Sequence, residues 1–331
     1  MQDSTQLDDL DRGLIEALQI SPRASWTAVG AALRVDPVTA RRRWDRLERE
    51  GLSWVTAYPV TDEDSAVALV TIGAEPARLD AVAAAIAEDP HVFTLERTTG
   101  GHSLSAIIMA WTLDELTGHC LARIEGTPGV RFVETHLATR FFTEGSRWRM
   151  RQLTSAQVSM LHEADPHPPT SRTGARRERT DEAVIAALAW NGRASGTELA
   201  TVLGTTAQTA RRRLDRVIAS GEVIFRCDVA QSQTGWPVCA TYQAAVRPGR
   251  ILATAQALST LPEIRMCVAT TGAHNLHISV WLKSVTDSHR LETLLADRLP
   301  DLVLADRTVV LRQYKTGGRL VDPSGRALPR Q

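Results

Sequence analysis

Apolar residues recur every three or four positions over residues 7–20, which predicts an amphipathic helix. A second short helix is predicted to begin after Ser25, because serine is a favoured N-cap. A third is predicted to begin at Pro37, with Asp36 as its N-cap. Gly51 is predicted to end the third helix, since glycine favours the C-terminal left-handed position. Three short helices in this order predict a helix-turn-helix.

After residue 51 the pattern changes to strand-like runs. Residues 52–60 predict a strand that serves as a wing. The later elements are predicted as strand 67–72, helix 76–87, strands 92–98 and 104–111, helix 113–124 and strand 130–142. This β-α-β-β-α-β order is that of a ferredoxin-like unit. Its helices cover one face of the sheet, so the other face is expected to be covered by a second sheet.

The whole pattern occurs twice. Thr39 to Arg46 reads TARRRWDR and Thr209 to Arg216 reads TARRRLDR, an offset of 209 − 39 = 170. The second set is predicted as helix 180–190, a helix opened by the capping box Ser195 to Glu198, basic helix 206–219, strand 238–246, helix 251–261, strands 264–270 and 276–281, helix 286–299 and strand 302–314. An internal repeat of this length predicts two similar units in tandem. The expected fold class is α+β, with two winged helix-turn-helix domains alternating with two ferredoxin-like domains.

Composition and periodicity together predict six segments. They are helix-turn-helix 1 at 1–60, ferredoxin-like domain 1 at 65–145, a linker at 146–179, helix-turn-helix 2 at 180–230, ferredoxin-like domain 2 at 236–318, and a tail at 319–331. The linker begins with a run that favours a helix over 148–161 and continues with a Pro-rich stretch typical of mobile chain. Its arginines Arg172, Arg176, Arg177 and Arg179 either are solvated, the favoured interpretation, or touch DNA backbone. The tail is expected to be loose.

The third helix of each half has two distinct faces when it is drawn at about 100° per residue. Ala40, Trp44, Leu47 and Gly51 share the side that would pack on a core. The opposite side carries Val38, Thr39, Arg42, Arg46 and Arg49 in the first copy and Gln208, Thr209, Arg212, Arg216 and Ala219 in the second. Such a face suits phosphate neutralisation and reading of guanine in the major groove, although one Arg-rich helix alone is more often a solvated surface. The repeat favours DNA binding.

Overall charge and composition narrow the alternatives. The 331 residues carry 38 basic and 38 acidic side chains, so DNA binding must depend on local patches. No secretory signal or membrane-spanning run is present in the sequence, and a cytoplasmic protein is expected. None of the four cysteines lies in a C-x-x-C pair, so they are expected to be buried thiols, and no metal ligand or cofactor is predicted. No nucleophilic triad or phosphate-binding glycine loop is recognised, and therefore no catalytic residue is predicted.

These residues resemble the Lrp/AsnC family of bacterial and archaeal transcription regulators. The matching positions are Leu7-Asp8, Asp11-Arg12, Leu14-Ile15, Arg23 and Thr39 to Gly51 in the first half, and Asp181, Gly192-Arg193, Glu198 to Ala200, Thr209 to Gly221 and Val223-Ile224 in the second. The resemblance implies a helix-turn-helix joined to a ferredoxin-like, ligand-sensing domain called RAM. Members usually carry one such unit and pair as dimers, so this chain resembles a fused dimer. Its unequal reading helices predict an imperfectly palindromic double-stranded DNA site, and further homo-oligomerisation is expected.

The resemblance also implies a site for a small effector such as an amino acid, near the turn between the second and third RAM strands. The matching residues are Gly100, Gly101, His102 and Ser103 in the first half and Gly272, Ala273, His274 and Asn275 in the second. The family usually has an aspartate where Ser103 and Asn275 stand, so a carboxylate for an ammonium group is missing. A purely structural glycine turn is the alternative.

Two other functions compete with a regulator. Siroheme decarboxylases resemble the same family and also occur as fused pairs, with an Asn-His-Arg-like motif after the basic helix. Residues 221–228 and 51–56 lack that motif. A protein-interaction module without DNA binding is the other alternative, and the Arg face kept in both copies is evidence against it.

Overall fold

A computed structural model describes residues 7–61, 64–164 and 181–329. The chain divides into two compact units. We call them the helical unit, which comprises residues 1–63, 149–233 and 326–331, and the sheet unit, which comprises residues 64–148 and 234–325. Like halves of the repeat therefore lie together within one unit, although they alternate along the chain.

The secondary structure follows the predicted order. The helices are α1 Asp9–Ile20, α2 Trp26–Leu33, α3 Pro37–Arg49, α4 Leu79–Ala87, α5 Leu113–Glu115, α6 Ala122–Glu125, α7 Ser155–Glu163, α8 Glu182–Trp190, α9 Gly196–Leu203, α10 Ala207–Ser220, α11 Ile251–Leu258 and α12 Asp287–Arg298. A π-helix, Leu116–Leu121, joins α5 to α6. The strands are β1 Ser53–Pro59, β2 Ala66–Ala74, β3 Val92–Thr98, β4 Leu104–Ala110, β5 Val130–Thr143, β6 Val223–Val229, β7 Val238–Ala245, β8 Ile264–Thr270, β9 Leu276–Leu282, β10 Val303–Thr316 and β11 Arg319–Leu320. The α+β prediction is confirmed.

The caps predicted for the first helix-turn-helix are present. Ser25 and Asp36 accept hydrogen bonds from the backbone N–H groups at the start of α2 and α3. Gly51 follows α3 with φ +65°, a conformation that an L-residue adopts only with strain. Trp44 and Leu47 are buried in the core of the first half, so the predicted packing face of α3 is confirmed. Their counterparts Leu214 and Val217 are buried in the second half.

A two-stranded antiparallel sheet joins the two helix-turn-helix halves. β1 pairs with β6, and Thr56 faces Arg226. These residues are equivalent in the repeat, since 226 − 56 = 170. Antiparallel pairing that is centred on equivalent residues means that the two halves are related by a pseudo-twofold axis at this point. The strand predicted as a wing therefore completes its sheet with the strand of the other half.

Part of the predicted linker belongs to the helical unit. Glu16 is buried in α1, and its carboxylate accepts a hydrogen bond from the N–H of Leu153 at 2.9 Å. Gln157 in α7 donates to the carbonyl of Ala32 at 2.9 Å. Leu161 is fully buried against the first helix-turn-helix. The helix predicted within this segment is thus present as α7, and the Pro-rich stretch with the arginines at 172, 176, 177 and 179 lies outside the described residues.

The expectation of a loose tail is wrong for the described residues that follow Gly318. Arg319 in β11 pairs with Thr316 of β10, and Val321 is 4% exposed. Further on, the N–H of Ala327 donates to the carbonyl of Gly51 at 2.9 Å. A short hairpin and backbone hydrogen bonds hold this segment, which its polar composition did not indicate.

In the sheet unit, the two ferredoxin-like halves share one sheet that closes on itself. The strand order is β11-β10-β3-β4-β2-β5-β8-β9-β7, and β7 pairs again with β10. β5 and β10 span 14 residues each and pass from their own half to the other. β5 pairs with β2 up to Leu137 and with β8 from Ala138. Leu69, Met266 and Val268 fill part of the space between the facing halves of the sheet. In each ferredoxin-like half, the sheet face that its own helices leave uncovered therefore packs against the other half.

Candidate nucleic-acid interface and effector site

The outward face of α3 is exposed as the helical wheel predicted. Val38 is 74% exposed in the first turn. Arg42 is exposed and forms no hydrogen bond or ion pair with the described residues. Arg49 is exposed and lies 3.5 Å from the carbonyl of Asp45, to which it donates. Thr39 is half-buried at the edge of this face. These side chains can reach a DNA duplex without leaving a strong partner.

Arg46 differs from its predicted role as a free cation. Its Nη2 atom lies 2.5 Å from the Oδ2 atom of Asp11, and its Nη1 atom lies 3.5 Å from Glu50. Asp11 is 1% exposed and also lies 3.0 Å from Arg43, which is bound to Asp8 as well. Ion pairs that include a buried carboxylate are costly to break from one side. Arg46 therefore supports the packing of α1 on α3 in addition to lying on the basic face.

The second basic helix presents freer arginines. In α10, Arg213 forms two hydrogen bonds to Asp181, and this contact holds the pKa of Asp181 below its ordinary value. Arg212 and Arg216 are both exposed and have no hydrogen bond or ion pair with the part of the chain that the structure describes. The aspartate that holds two arginines in the first half holds one in the second. The basic face is thus chemically unequal in the two halves.

The polar residues at the start of α10 are divided between capping and exposure. Gln208 is exposed. Thr209 is half-buried, and its hydroxyl accepts a hydrogen bond from the hydroxyl of Thr206 at 3.0 Å. Thr206 also accepts from the N–H of Thr209, which caps the helix. Gln208 therefore has a free side chain, whereas Thr209 is tied to the cap.

Arg34 is a candidate that sequence reasoning missed. It lies in the turn between α2 and α3 with φ 57°, and its side chain is exposed. The equivalent residue in the second half is Gly204, with φ 61°. An arginine in the left-handed conformation costs roughly 1–2 kcal/mol relative to a right-handed backbone. Its position after the positioning helix of a helix-turn-helix was the available signal, and that signal favours a backbone phosphate contact.

In the sheet unit, the two predicted effector turns dock on the long strand of the other half. Thr99 donates from its N–H to the carbonyl of Val309 and accepts from the N–H of Val309, both at 2.9 Å. Thr271 makes the same pair of bonds to Leu137. The glycines that follow have φ 102° at Gly100 and φ 103° at Gly272, where only glycine is unstrained. Both turns thus lie at the junction of the two halves.

The side chains at the family's aspartate positions are used by the fold. The Asn275 amide accepts from the N–H of Val246 at 3.0 Å and donates to its carbonyl at 2.8 Å. Ser103 accepts from the N–H of Ala74 at 3.4 Å. His102 is half-buried, and its pKa is lowered by burial. Gly101 has open space around it, and Ala273 is exposed. Ser103 and Asn275 therefore secure the turns on the adjacent strand ends.

A small, partly open cleft lies beside the second turn. It is lined by Leu69, Val70, Thr71, Ser105, His136, Gln243, Thr270, His274 and His277. Burial lowers the pKa of His277 to about 4, helped by the nearby His136. The equivalents of these two histidines are Ser105 and Thr308, because the offset is 172 in this unit. His136 and His277 therefore make the surroundings of the two turns chemically different, whereas His274 has a counterpart in His102.

Comparison with known families assigns both kinds of domain. Residues 7–48 match the AsnC-type helix-turn-helix domain, residues 66–148 the Lrp/AsnC ligand binding domain, and residues 177–221 a winged helix-turn-helix DNA-binding domain. An uncharacterized HTH-type transcriptional regulator of Pyrococcus abyssi is 32% identical over 137 residues, which are 40% of this chain and 87% of the relative. The HTH-type transcriptional regulator Ptr1 of Methanocaldococcus jannaschii is 27% identical over 43% of this chain and 97% of its own length.

The tandem arrangement also occurs among solved structures. The siroheme decarboxylase NirDL, in complex with an iron-uroporphyrin III analogue, superposes with a TM-score of 0.58 over 93% of each chain. At 12% identity this likeness shows a common fold and nothing about activity. Among the described residues, every helix is too short or too polar to cross a bilayer. The domain matches and the archaeal relatives agree with the repeat, the basic helices and the shared sheet, and the chain belongs to the Lrp/AsnC family of DNA-binding transcriptional regulators.

Proposed function

We propose that one chain reads both halves of a single DNA operator with two unequal recognition helices. The antiparallel pairing of Thr56 with Arg226 carries this proposal, because it relates α3 and α10 by a pseudo-twofold axis. The proposed DNA-contacting residues are Val38, Thr39, Arg42, Arg46 and Arg49 in the first half and Gln208, Thr209, Arg212 and Arg216 in the second. Such a protein acts on chromosomal DNA, so we place it in the cytoplasm.

The operator is proposed to be an imperfect palindrome. Val38 is replaced by Gln208 in the second half, which exchanges an apolar contact for a side chain that favours adenine. Arg49 is replaced by Ala219, which removes a cation from the end of the helix. Arg46 shares Asp11 with Arg43, whereas Arg216 is free of such a partner among the described residues. Each half-site therefore meets a different set of groups.

The test is selection of genomic DNA fragments by the purified full chain, followed by footprinting of the enriched site. Arg42→Ala and Arg212→Ala are each expected to weaken the free energy of DNA binding, measured by footprinting titration, by about 1–3 kcal/mol. Each is also expected to relax the sequence preference at one base position in one half-site. Arg131→Ala, an exposed arginine of the sheet unit, is the matched control. Equal weakening on every DNA sequence would limit the two arginines to phosphate contacts. Failure of the protein to enrich any DNA fragment would overturn the proposal.

We also propose that the turns bind a small effector such as an amino acid. The proposed contacts are Gly100, Gly101, His102, Ser103, Gly272, Ala273, His274 and Asn275, and the exposed N–H groups and half-buried imidazoles suit a carboxylate. The histidine-lined cleft favours the second turn. Screening single amino acids by thermal shift, with His274→Ala as the test variant and His289→Ala as the control, distinguishes a bound effector from a structural turn. If none of the amino acids shifts the melting temperature, this class of effector is rejected.

We propose further that the chain is not a decarboxylase. Arg226, in the stretch after the second basic helix, is buried and bound to Asp228 at 2.6 Å, so it is not presented to a substrate carboxylate. Adding siroheme to the protein is expected to leave the tetrapyrrole absorbance unchanged, and loss of carboxyl groups from siroheme would contradict the proposal.

We also propose that chains associate beyond the internal pair. Light scattering at several protein concentrations tests this association, which a constant monomer mass would exclude.

A further inference from the structure

A group of three side chains that could ligate a metal lies in the first half of the sheet unit, away from the effector turns. His91 lies between two carboxylates, with its Nδ1 atom 2.9 Å from Asp89 and its Nε2 atom 3.3 Å from Glu115. The His119 ring packs edge-on against it, with centroids 5.5 Å apart. One ligand atom from each of Asp89, His91 and His119 lies within 4.8 Å of the others. No function described above uses these residues.

The backbone around the cluster is irregular where His119 enters. His119 is carried by the π-helix Leu116–Leu121, which interrupts an otherwise α-helical segment. Single-turn π-helices inside α-helices occur frequently at functional sites, because they turn a side chain towards a position that a regular helix does not reach. In the second half the corresponding segment is the uninterrupted helix α12. The irregular turn and the ligand set therefore occur in the same half.

The second half shows what fills the equivalent position when the histidines are absent. With the offset of 172, His91 corresponds to Glu263 and Glu115 to Asp287. Arg290 lies 3.3 Å from Glu263 and 3.9 Å from Asp287, so a guanidinium bridges the two carboxylates. The residue equivalent to Arg290 is Gly118, beside which a Cβ atom would meet nothing within 4 Å. In the second half a guanidinium thus lies between the two carboxylates, whereas the equivalent position beside His91 and Glu115 in the first half is open.

We propose that Asp89, His91 and His119 form a site for one zinc ion, with Glu115 orienting the His91 ring through its Nε2 atom. Two imidazole nitrogens and one carboxylate oxygen, with water in the fourth position, suit tetrahedral Zn²⁺, which binds such atoms at about 2.0–2.2 Å. His119 is exposed and free to close the remaining distance. The ligands are supported from behind, as metal ligands usually are: Glu115 accepts from the N–H of Trp111 at 2.7 Å, and Lys315 donates to the Asp89 carbonyl at 2.6 Å.

Two neighbouring groups set limits on the site. Arg123 lies 3.4 Å from the other Asp89 oxygen, and its side chain is 47% exposed, so it can swing into solvent when a cation binds. Cys120 is buried and does not belong to the group of ligand atoms that lie within 4.8 Å of one another. The site therefore uses nitrogen and oxygen ligands alone.

The test uses the full chain after treatment with a chelator. Zinc titration against a chromophoric competitor is expected to give one site per chain, and Co²⁺ is expected to show the absorption of a tetrahedral ion. His119→Ala should weaken zinc binding at least about tenfold, the minimum for loss of a group that supports a metal. Gly118→Arg, which supplies the cation of the second half, should abolish it. His289→Ala, an exposed histidine elsewhere in this unit, is the matched control and should bind as the parent does.

Both decisive substitutions are at exposed positions, so the folded protein is expected to survive them, and circular dichroism checks this. Loss of zinc in both variants with retention in the control supports the site. Absence of stoichiometric binding, or equal binding by the parent and His119→Ala, overturns it. Unchanged binding by a folded Gly118→Arg protein overturns it as well, because the two cations could then not share one position.

Discussion

Arg23 and Arg193 each bind the loop that carries the other. Arg23 donates to the carbonyls of Gly192 and Ala194, and Arg193 donates to those of Pro22 and Ala24. The two arginines are equivalent in the repeat, since 193 − 23 = 170. The exchange of contacts is therefore reciprocal about the pseudo-twofold axis of the helical unit.

Aromatic rings enclose the two guanidinium groups. Arg193 lies 4.3 Å from the ring centroid of Trp26, and Arg23 lies 5.3 Å from that of Phe225. Burial lowers the pKa of both arginines to about 10, so both remain charged at neutral pH. Buried, charged hydrogen bonds of this kind fix the two helix-turn-helix halves relative to each other, and with them the spacing of α3 and α10.

Arg193→Ala is expected to destabilise the helical unit by about 1.5–3 kcal/mol, because it removes charge-assisted hydrogen bonds to the carbonyls of Pro22 and Ala24. Arg23→Ala should cost a similar amount. The double variant should cost less than the sum, since both residues secure the same contact. Urea unfolding measures all three, with exposed Arg211→Ala as the control. Strictly additive losses would show that the two arginines act independently.

Arg34→Gly should separate stability from DNA affinity. Glycine relieves the left-handed backbone at this position but adds freedom to the unfolded chain, so a net gain of about 1 kcal/mol in the free energy of unfolding is expected. The same change removes a cation, so the slope of DNA affinity against salt should fall by about one. Unfolding curves and binding titrations at several salt concentrations measure the two effects. An unchanged salt slope would show that Arg34 touches no phosphate.

Arg46 and Arg216 should respond differently to the same substitution, although they are equivalent in the repeat. Arg46→Ala leaves the buried Asp11 with Arg43 alone, and about 1–3 kcal/mol of stability should be lost. Arg216 has no comparable partner among the described residues, so Arg216→Ala should change stability by less than about 0.5 kcal/mol. Both variants should weaken DNA binding. If Arg216→Ala destabilised the protein as much as Arg46→Ala does, the claimed inequality of the two basic faces would be wrong.

Much of this fold was predictable because periodicity and caps are local signals. Ser25, Asp36 and the Ser195–Glu198 capping box set the helix starts where the structure has them. The exposed face of α3 followed from helical spacing. The repeat showed that two units were present, although it could not show which would lie together. The pairing of β1 with β6 is a contact between residues about 170 positions apart, and no local pattern records it.

The sites were less predictable because their members come from different elements. Asp11 binds Arg43 and Arg46 across two helices, so the wheel of one helix could not show that Arg46 is paired. Asp89 and His91 lie in the turn between α4 and β3, whereas His119 lies on the π-helix, so the proposed zinc ligands do not form one of the short Cys and His patterns by which zinc sites are recognised in a sequence. Asn275 binds Val246 by its side chain, and a departure from a family motif does not reveal that bond.

His277 is expected to make the sheet unit sensitive to acid. Its folded pKa of about 4 lies below the ordinary histidine value of about 6.5, because burial disfavours the charged ring and His136 lies nearby. Between these two pH values, His277 is therefore protonated in the unfolded chain and neutral in the folded chain. The stability that depends on neutral His277 is fully present above about pH 6.5 and is lost as pH falls towards 4, by about 3 kcal/mol at most. His277→Ser, which installs the residue found at the equivalent position 105, should flatten the fall in the free energy of unfolding between pH 7 and pH 4.5.

Carboxylates titrate over the lower part of this range in both proteins, so the difference between the two pH profiles isolates the histidine. Parallel profiles would show that the His277 ring is not held neutral by the fold, whereas a steeper fall in the parent than in His277→Ser is the expected result.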